Sequence, residues 1–403
     1  MVIVGGGPAG IASALFLAHA APELTDRIVV LEKERFPREK YCAGGLGARG
    51  DRLLGSIGVR VDVPSVLLSG VVFRAMGQSS VIRDREPGSV GRVIRRVEFD
   101  HELARCAERR KLRVVQGARV GALTMLPNAV EVDSSAGRFR ARVVIAADGV
   151  QSVVRRALGV PAARYHAQAL EVDTEAVDGD VDRDLLVFDV SRRELPGYYW
   201  DFPTLVDGRE LWCRGVYLLK TGDDDPQVEI QQVLELELRA RGLALSRYRK
   251  KRYAERGFEL HAPLARPRVL FVGEAAGIDP LTGEGIAQAL QYGAVAGRYL
   301  ARKLRERDLE FVDWRSEVRR TMIGRDLWVR TLGTPLFYGS NRPEIESFLL
   351  KTPSFIRVGL QHFAGKPWSK SELLAAGWGG LRHAAGWFAG RRASAGWAGV
   401  PAR

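Results

Sequence analysis

Met1-Val-Ile-Val4, then Gly5-Gly6-Gly7-Pro8-Ala9-Gly10, then Ile11-Ala-Ser-Ala-Leu-Phe-Leu-Ala18 is the stretch that decides how this chain folds. Its first four residues predict a short buried strand and the run after Gly10 predicts a helix. The glycines between them have GxGxxG spacing, with Pro8 and Ala9 inside the same turn. Gly5 permits the tight turn, Gly7 lets the backbone approach a pyrophosphate, and Gly10 allows helix to pack on strand, while the helix N-terminus offers unpaired N–H groups to the anion. A second strand, Arg27-Ile-Val-Val-Leu31, ends in Glu32, 22 residues after Gly10, with Lys33 next to it. An acid at that point accepts hydrogen bonds from ribose hydroxyls and repels a 2′-phosphate. The expectation is an α/β protein with a Rossmann-like dinucleotide domain.

Composition limits the rest. With 403 residues, 46% of them hydrophobic, there is room for two or three domains and a sizeable core. The cysteines, Cys42, Cys106 and Cys213, are an odd number and widely spread, so neither a disulfide framework nor a paired metal motif is expected. They fit a reducing, cytoplasmic compartment. The net charge of +13 comes from 61 Lys and Arg against 48 Asp and Glu, largely interleaved, as in Glu34-Arg35 and Arg38-Glu39. This predicts a solvated mixed-charge surface and no nucleic-acid partner. The opening apolar stretch has no basic residue ahead of it and is broken by glycines, unlike a signal peptide or membrane span. The histidines lack zinc-type spacing, no GxxxxGK[ST] run occurs, and no metal is expected.

Two later segments repeat the pattern of a strand ending in a glycine and an acid. Arg142-Val-Val-Ile-Ala-Ala-Asp148-Gly149 runs into a helix opened by Ser152. Arg268-Val-Leu-Phe-Val-Gly273-Glu274 continues through Pro280-Leu-Thr-Gly283-Glu284-Gly285-Ile286 into another helix. With Arg96-Val-Glu-Phe99-Asp100 between them, they resemble the FAD-binding signatures of the aromatic-hydroxylase-like flavoprotein superfamily, the fold of p-hydroxybenzoate hydroxylase. The resemblance implies that Asp148 lies near the pyrophosphate and that Glu274, where Asp is usual, holds a ribityl hydroxyl. It also implies that Gly283 to Ile286 present N–H groups to the flavin pyrimidine and that Arg96 faces the phosphates or ribityl chain.

Two further segments resemble the geranylgeranyl reductase branch. Tyr41-Cys42-Ala43-Gly44-Gly45 is similar to its Pro-Cys-Gly-Gly-Gly loop, with Tyr41 and Ala43 as departures, and Gly197-Tyr198-Tyr199-Trp200-Asp201-Phe202-Pro203 matches its Tyr-x-Trp-x-Phe-Pro segment. Tyr198, Trp200 and Phe202 alternate along an extended strand, project to one face and suit a flat or polyunsaturated hydrocarbon, with Pro203 ending the strand. The rings equally suit a core between sheet and FAD domain. Cys42, Tyr198, Tyr199 and Trp200 are the candidate catalytic residues, the first three as acids. Cys106 and Cys213 read as core residues.

The branch implies FAD-dependent reduction of a double bond in an isoprenoid or polyene-type substrate. A monooxygenase acting through a C4a-hydroperoxide, a halogenase and a non-enzymatic flavoprotein subunit are alternatives. Halogenation is disfavoured because no lysine occurs between Lys40 and Lys111. There is no second GxGxxG, so the electrons come from transient NAD(P)H or from a partner reductase or ferredoxin.

The expected organisation is a discontinuous FAD domain at 1–65, 93–160 and 258–305, a β-rich substrate domain at 66–92 and 161–257, and a helical region at 306–403. Within the second, an antiparallel sheet roofs the site, followed by a helix near Gln227 to Arg241 capped by Asp223-Asp-Asp-Pro226. Leu374, Trp378, Leu381, Ala385 and Phe388 form an apolar helical stripe in a basic tail, which suits packing on the protein itself or peripheral contact with the inner membrane surface.

Overall fold

In the computed structural model, which describes residues 1–84, 86–221, 227–367 and positions 370, 371, 374, 375 and 377, the opening run forms the strand Val2–Val4 and the helix Pro8–Ala20. The strand lies inside a six-stranded sheet, in the order Ala265–Arg266, Val269–Phe271, Val144–Ala146, Val2–Val4, Val29–Glu32, Arg113–Gln116. Every pair is parallel except the first. Parallel strands covered on both faces carry unbroken apolar runs, and VIV, VVL, VIA and VLF are such runs.

One covering layer is a helix pair. Ile286–Glu306 lies along Pro8–Ala20, and the approach depends on two glycines. A Cβ on Gly293 would stand 2.5 Å from that of Ala12, and one on Gly297 would stand 2.6 Å from the Leu17 nitrogen. The fold thus brings the N-terminal turn and the residues preceding Ile286 to the same end of the sheet.

A seven-stranded sheet runs in the order Lys251–Arg256, His166–Thr174, Arg209–Lys220, Gly197–Val206, Leu185–Asp189, Gly70–Ala75, Gln78–Arg83. It is antiparallel apart from one pair, Leu185–Asp189 with Gly70–Ala75. That pair joins segments about a hundred residues apart, so a long crossover replaces a hairpin and the parallel direction becomes accessible. Pro203 does not end its strand. The strand continues to Val206, where Asp207-Gly208, both at positive φ, turn it back to Arg209. Pro203 is tolerated because Leu185–Asp189 pairs only as far as Asp201, leaving an open edge where a missing N–H costs no ladder bond.

Two apolar layers flank this sheet. Tyr199, Val216 and Leu218 face the helix Ile230–Arg239, which is shorter than expected; its proposed cap, Asp223 to Pro226, lies outside the described residues. Tyr198, Trp200, Phe202 and Tyr217 face the other way, toward the helices Met322–Tyr338, Arg342–Lys351 and Pro353–Ala364. Cys106 and Cys213 are buried in apolar surroundings. Of the proposed tail stripe, Leu374 is exposed; Trp378, Leu381, Ala385 and Phe388 lie outside the described residues.

Candidate active site

The first part of the site is the glycine turn. Gly5 sits at φ +106°, and a Cβ there would be 2.3 Å from the Ala147 carbonyl oxygen. A Cβ on Gly10 would be 1.9 Å from the Gly5 oxygen, so that position packs the helix on the strand. Gly7 differs: around its Cβ position the nearest atom is Arg38 Nη2 at 3.9 Å. That side is open, as an approaching pyrophosphate requires, and Pro8 starts the helix beside it. Ala9 is buried under Gly273, whose Cβ position lies 2.7 Å from the Ala9 Cβ.

Glu32 accepts from the Gly6 N–H at 2.9 Å and from the Glu34 N–H at 3.0 Å. Lys33 points outward. Arg38 bridges Glu32 at 3.4 Å and Asp100 at 3.0 Å, while Arg96 grips Asp100 with two bonds of 2.7 Å. Burial alone would lower the Arg96 pKa, but the Asp100 carboxylate more than offsets this and keeps the guanidinium charged. Two guanidinium groups therefore converge beside the helix N-terminus, and Arg38 Nε is buried without a partner among the described residues.

Asp148 accepts from the Val154 N–H at 3.0 Å, while its second oxygen is buried and has no partner among the described residues. Burial pushes this carboxyl above its usual range. The next residue, Gly149, places its Cβ position 3.5 Å from Glu274 Oε2, and Lys40 Nζ lies 4.0 Å from the same oxygen. The two glycine-acid turns, far apart in sequence, thus meet.

Residues 279–285 form the second part. Asp279 accepts from the N–H groups of Leu281 at 2.7 Å and Thr282 at 3.1 Å. Three tyrosine hydroxyls donate to successive carbonyls: Tyr217 to Pro280 at 3.3 Å, Tyr338 to Leu281 at 2.5 Å and Tyr198 to Thr282 at 2.6 Å. With those groups engaged, the N–H groups of Gly283, Gly285 and Ile286 are the ones left to meet a ligand, at the start of the helix Ile286–Glu306. Arg330 holds the loop from outside, bonding Asp279 at 2.5 Å, Thr282 at 2.9 Å and Glu284 at 3.1 Å.

Cys42 lies between these parts. Its sulfur accepts from the Gly44 N–H at 3.4 Å, and Gly44 adopts φ +86° with its Cβ position 2.1 Å from the Ile94 oxygen. Burial pushes the Cys42 thiol up, partly opposed by Arg96, so it holds its proton at neutral pH. Ala43, in place of glycine, packs on the aromatic cluster. A cavity of about 420 Å³ opens beside Cys42, lined by Glu39, Lys40, Arg96 and Lys251 among others. A second concavity of about 560 Å³, between Arg319, Arg320, Trp328 and Val329, touches none of these residues.

The aromatic face is continuous. The Tyr198 and Tyr217 rings stack at 5.0 Å, and Phe188 contacts both Tyr198 and Phe202. Trp200 lies over Gly215, whose Cβ position is 2.2 Å from the indole. Tyr199 does not join them. Strand alternation puts it on the opposite face, where its hydroxyl donates to Asp201 at 2.6 Å under the Arg241 guanidinium. It is therefore removed from the candidate acids.

Several residues of the site carry no local motif: Arg38, Lys40, Glu255 and Arg330. Arg38 and Lys40 stand in the same loop as Cys42, a usable signal. Glu255 and Arg330 reach the site only through tertiary folding.

The unpaired Arg38 Nε and Asp148 oxygen, the open side of Gly7 and the free N–H groups near Gly283 suit one elongated dinucleotide carrying a pyrophosphate and a hydrogen-bonding ring. The fold and site define an FAD-dependent oxidoreductase. Residues 1–325 match the FAD binding domain family, and the chain belongs to it. It is 29% identical over 324 residues to digeranylgeranylglycerophospholipid reductase 2 of Methanopyrus kandleri, covering 76% of this chain and 78% of the relative. It is also 29% identical over 345 residues to the menaquinone reductase of Mycobacterium tuberculosis, covering 77% of each. A geranylgeranyl bacteriochlorophyll reductase-like protein from Thermoplasma acidophilum superimposes with a TM-score of 0.72 at 19% identity, over 93% of this chain and 94% of that one. The flavin-dependent brominase Bmp2 shares the fold at a TM-score of 0.69 and 17% identity, over 97% and 98% of the two chains.

Proposed function

We propose that this enzyme reduces a carbon–carbon double bond in an isoprenoid chain, carried on a lipid or a quinone. The observation that carries this reading is the aromatic face of Tyr198, Trp200, Phe202 and Tyr217. It meets the cofactor loop at Thr282 and is covered by Phe337, Leu349, Leu360 and Phe363 from the C-terminal helices. Such a surface recognises a flexible polyene through apolar burial and π contacts rather than hydrogen bonds. The names of the two curated relatives point to the same substrate class.

FAD, when bound and reduced, supplies a hydride to one carbon of the double bond. The chain does the rest. Gly7, Arg38 and Arg96 would hold the pyrophosphate, Glu32 the adenosine ribose, Glu274 the ribityl chain, and Gly283 to Ile286 the pyrimidine edge. The rings orient the alkene and exclude water. The Tyr198 hydroxyl is fixed on Thr282, and burial raises its pKa well above the ordinary value, so it stays protonated and anchors the loop. Cys42 likewise keeps its proton. Electrons reach the flavin from NAD(P)H or from a partner reductase or ferredoxin, and anaerobic NADPH bleaching of the bound flavin tells these apart. Anaerobic incubation of the reduced enzyme with geranylgeranyl lipids or menaquinone, followed by mass analysis for added hydrogen pairs, tests the reading; oxygen in the product under air would replace it with the monooxygenase.

No described helix is long and apolar enough to cross a membrane. Peripheral contact is supported by one face of Met322–Tyr338, where Met322, Val329, Leu332 and Leu336 are 55%, 70%, 57% and 54% exposed. Exposed Arg325 lies in the same stripe, and the helix's one acid, Asp326, is buried. An apolar stripe with an exposed arginine suits an anionic lipid surface. Flotation with acidic vesicles, lost in Val329→Glu with Leu332→Glu, is the check.

A further inference from the structure

We propose that Glu255 is the acid that delivers the proton in this reduction, an assignment that rests on the double-bond reductase reading. Glu255 lies on the edge strand Lys251–Arg256, opposite Ala167. Alternation along the strand puts it on the same face as Tyr253, which packs on the aromatic cluster with Ala167 and Ala169.

The carboxyl reaches the point where the sheet meets the cofactor loop. The Cβ position of Gly283 is 2.7 Å from Glu255 Oε2 and 2.9 Å from the Tyr217 ring. Glu255 Oε2 is shielded from solvent and has no hydrogen-bond partner among the described residues. Around it stand Glu274 from the Gly273 turn, Asp279 from the loop and Glu171 from the neighbouring strand, with Lys40 as the opposing cation. Burial first, then the Glu274 charge, pushes this carboxyl well above the usual range. An uncharged acid is the form such a position favours.

The other proton carriers on this face are committed. The hydroxyls of Tyr198, Tyr217 and Tyr338 donate to the carbonyls of residues 282, 280 and 281, and that of Tyr253 donates to Glu171 at 3.2 Å. Losing any of those protons would leave a buried phenolate facing a carbonyl or carboxylate. Glu255 breaks no bond to the protein when its proton leaves. In the reduction, the alkene π bond opens and one carbon takes two electrons and a hydrogen from reduced flavin. The neighbouring carbon takes the proton from Glu255 Oε2 as that O–H bond breaks. The flavin is left oxidised and Glu255 is left as a carboxylate, to be reprotonated from water.

The test compares wild type, Glu255→Gln and Glu255→Asp, each loaded with FAD. Glu255→Gln is expected to bind FAD and to be bleached by dithionite as wild type is, while single-turnover alkene reduction falls by about 10²- to 10⁴-fold. Infrared difference spectra at neutral pH should show a protonated-carboxyl C=O band in wild type that is lost in Glu255→Gln. Glu255→Asp keeps an acid, shifts the band instead of removing it, and carries the test should the amide variant fail to fold. Wild-type reduction should fall as pH rises through the raised pKa, and that limb should vanish in Glu255→Gln. Unchanged turnover in Glu255→Gln, or no band lost or shifted in either variant, overturns the assignment. A wild-type enzyme that leaves every isoprenoid alkene untouched overturns the reductase reading instead.

Discussion

Replacing Arg330 by Met removes the side chain that ties the C-terminal helices to the cofactor loop. Its guanidinium bonds Asp279, Glu284 and Asp326, whose side chains are no more than 7% exposed. After the change Asp326 keeps Arg49 and His362, and Glu284 keeps Arg49. Among the described residues Asp279 keeps only Thr282 and backbone N–H groups, so one fully buried carboxylate loses its counter-charge. Leaving a buried charge without its partner costs about 3–5 kcal/mol. If the loop relieves this by moving, the cost falls on FAD binding, and at about 1.4 kcal/mol per factor of ten the dissociation constant rises by about 10²-fold or more. Flavin fluorescence titration and urea unfolding, run on the same Arg330→Met preparation, measure the two ways the cost can be expressed. Arg330→Lys should recover only part of the loss, because an ammonium cannot span three carboxylates as the planar fork does. Wild-type FAD affinity together with a wild-type urea midpoint in Arg330→Met would refute the clamp.

Three other outcomes follow from the geometry. Gly10→Ala drives a methyl to within 1.9 Å of the Gly5 carbonyl oxygen and should abolish FAD uptake, read as colourless protein, whereas Gly333→Ala, with open space around its Cβ position, should remain yellow. The Asp326 carboxyl, which burial would raise, is instead held far below its ordinary value of 3.8 by Arg330, His362 and Arg49. Its contribution is full above the unfolded value and is lost as pH falls below it, so Asp326→Asn should flatten the acid side of the stability–pH curve; an unchanged slope contradicts this. Cys42, its thiol raised by burial, should alkylate with iodoacetamide more slowly than a free thiol at neutral pH, and a faster rate would show an activated thiolate.

The parts legible in the sequence are those whose cause is local. Gly5, Gly7 and Gly10 announce a strand, turn and helix because each glycine answers a steric demand within ten residues of itself. The alternation of Tyr198, Trp200 and Phe202 gives one face because strand geometry allows nothing else. The same rule, applied one residue further, places Tyr199 on the far face, where it cannot share their role. Pro203 misleads because its effect depends on where a neighbouring strand stops, and that is a property of the sheet. Arg330 and Glu255 are invisible for a related reason. Arg330 takes its place from partners 46 or 51 residues away, Glu255 from a strand pairing with Ala167 and from the loop at Gly283, and neither stands in a patterned stretch.

Reduced FAD in this chain is expected to saturate an isoprenoid double bond. The most direct measurement is an anaerobic single turnover: photoreduced holoenzyme mixed with a geranylgeranyl lipid, with flavin absorbance and product mass followed together. The oxidised-flavin spectrum should return without oxygen, and the product should gain two hydrogens for each flavin reoxidised. Flavin that stays reduced until air is admitted, with the lipid recovered unchanged, would contradict it.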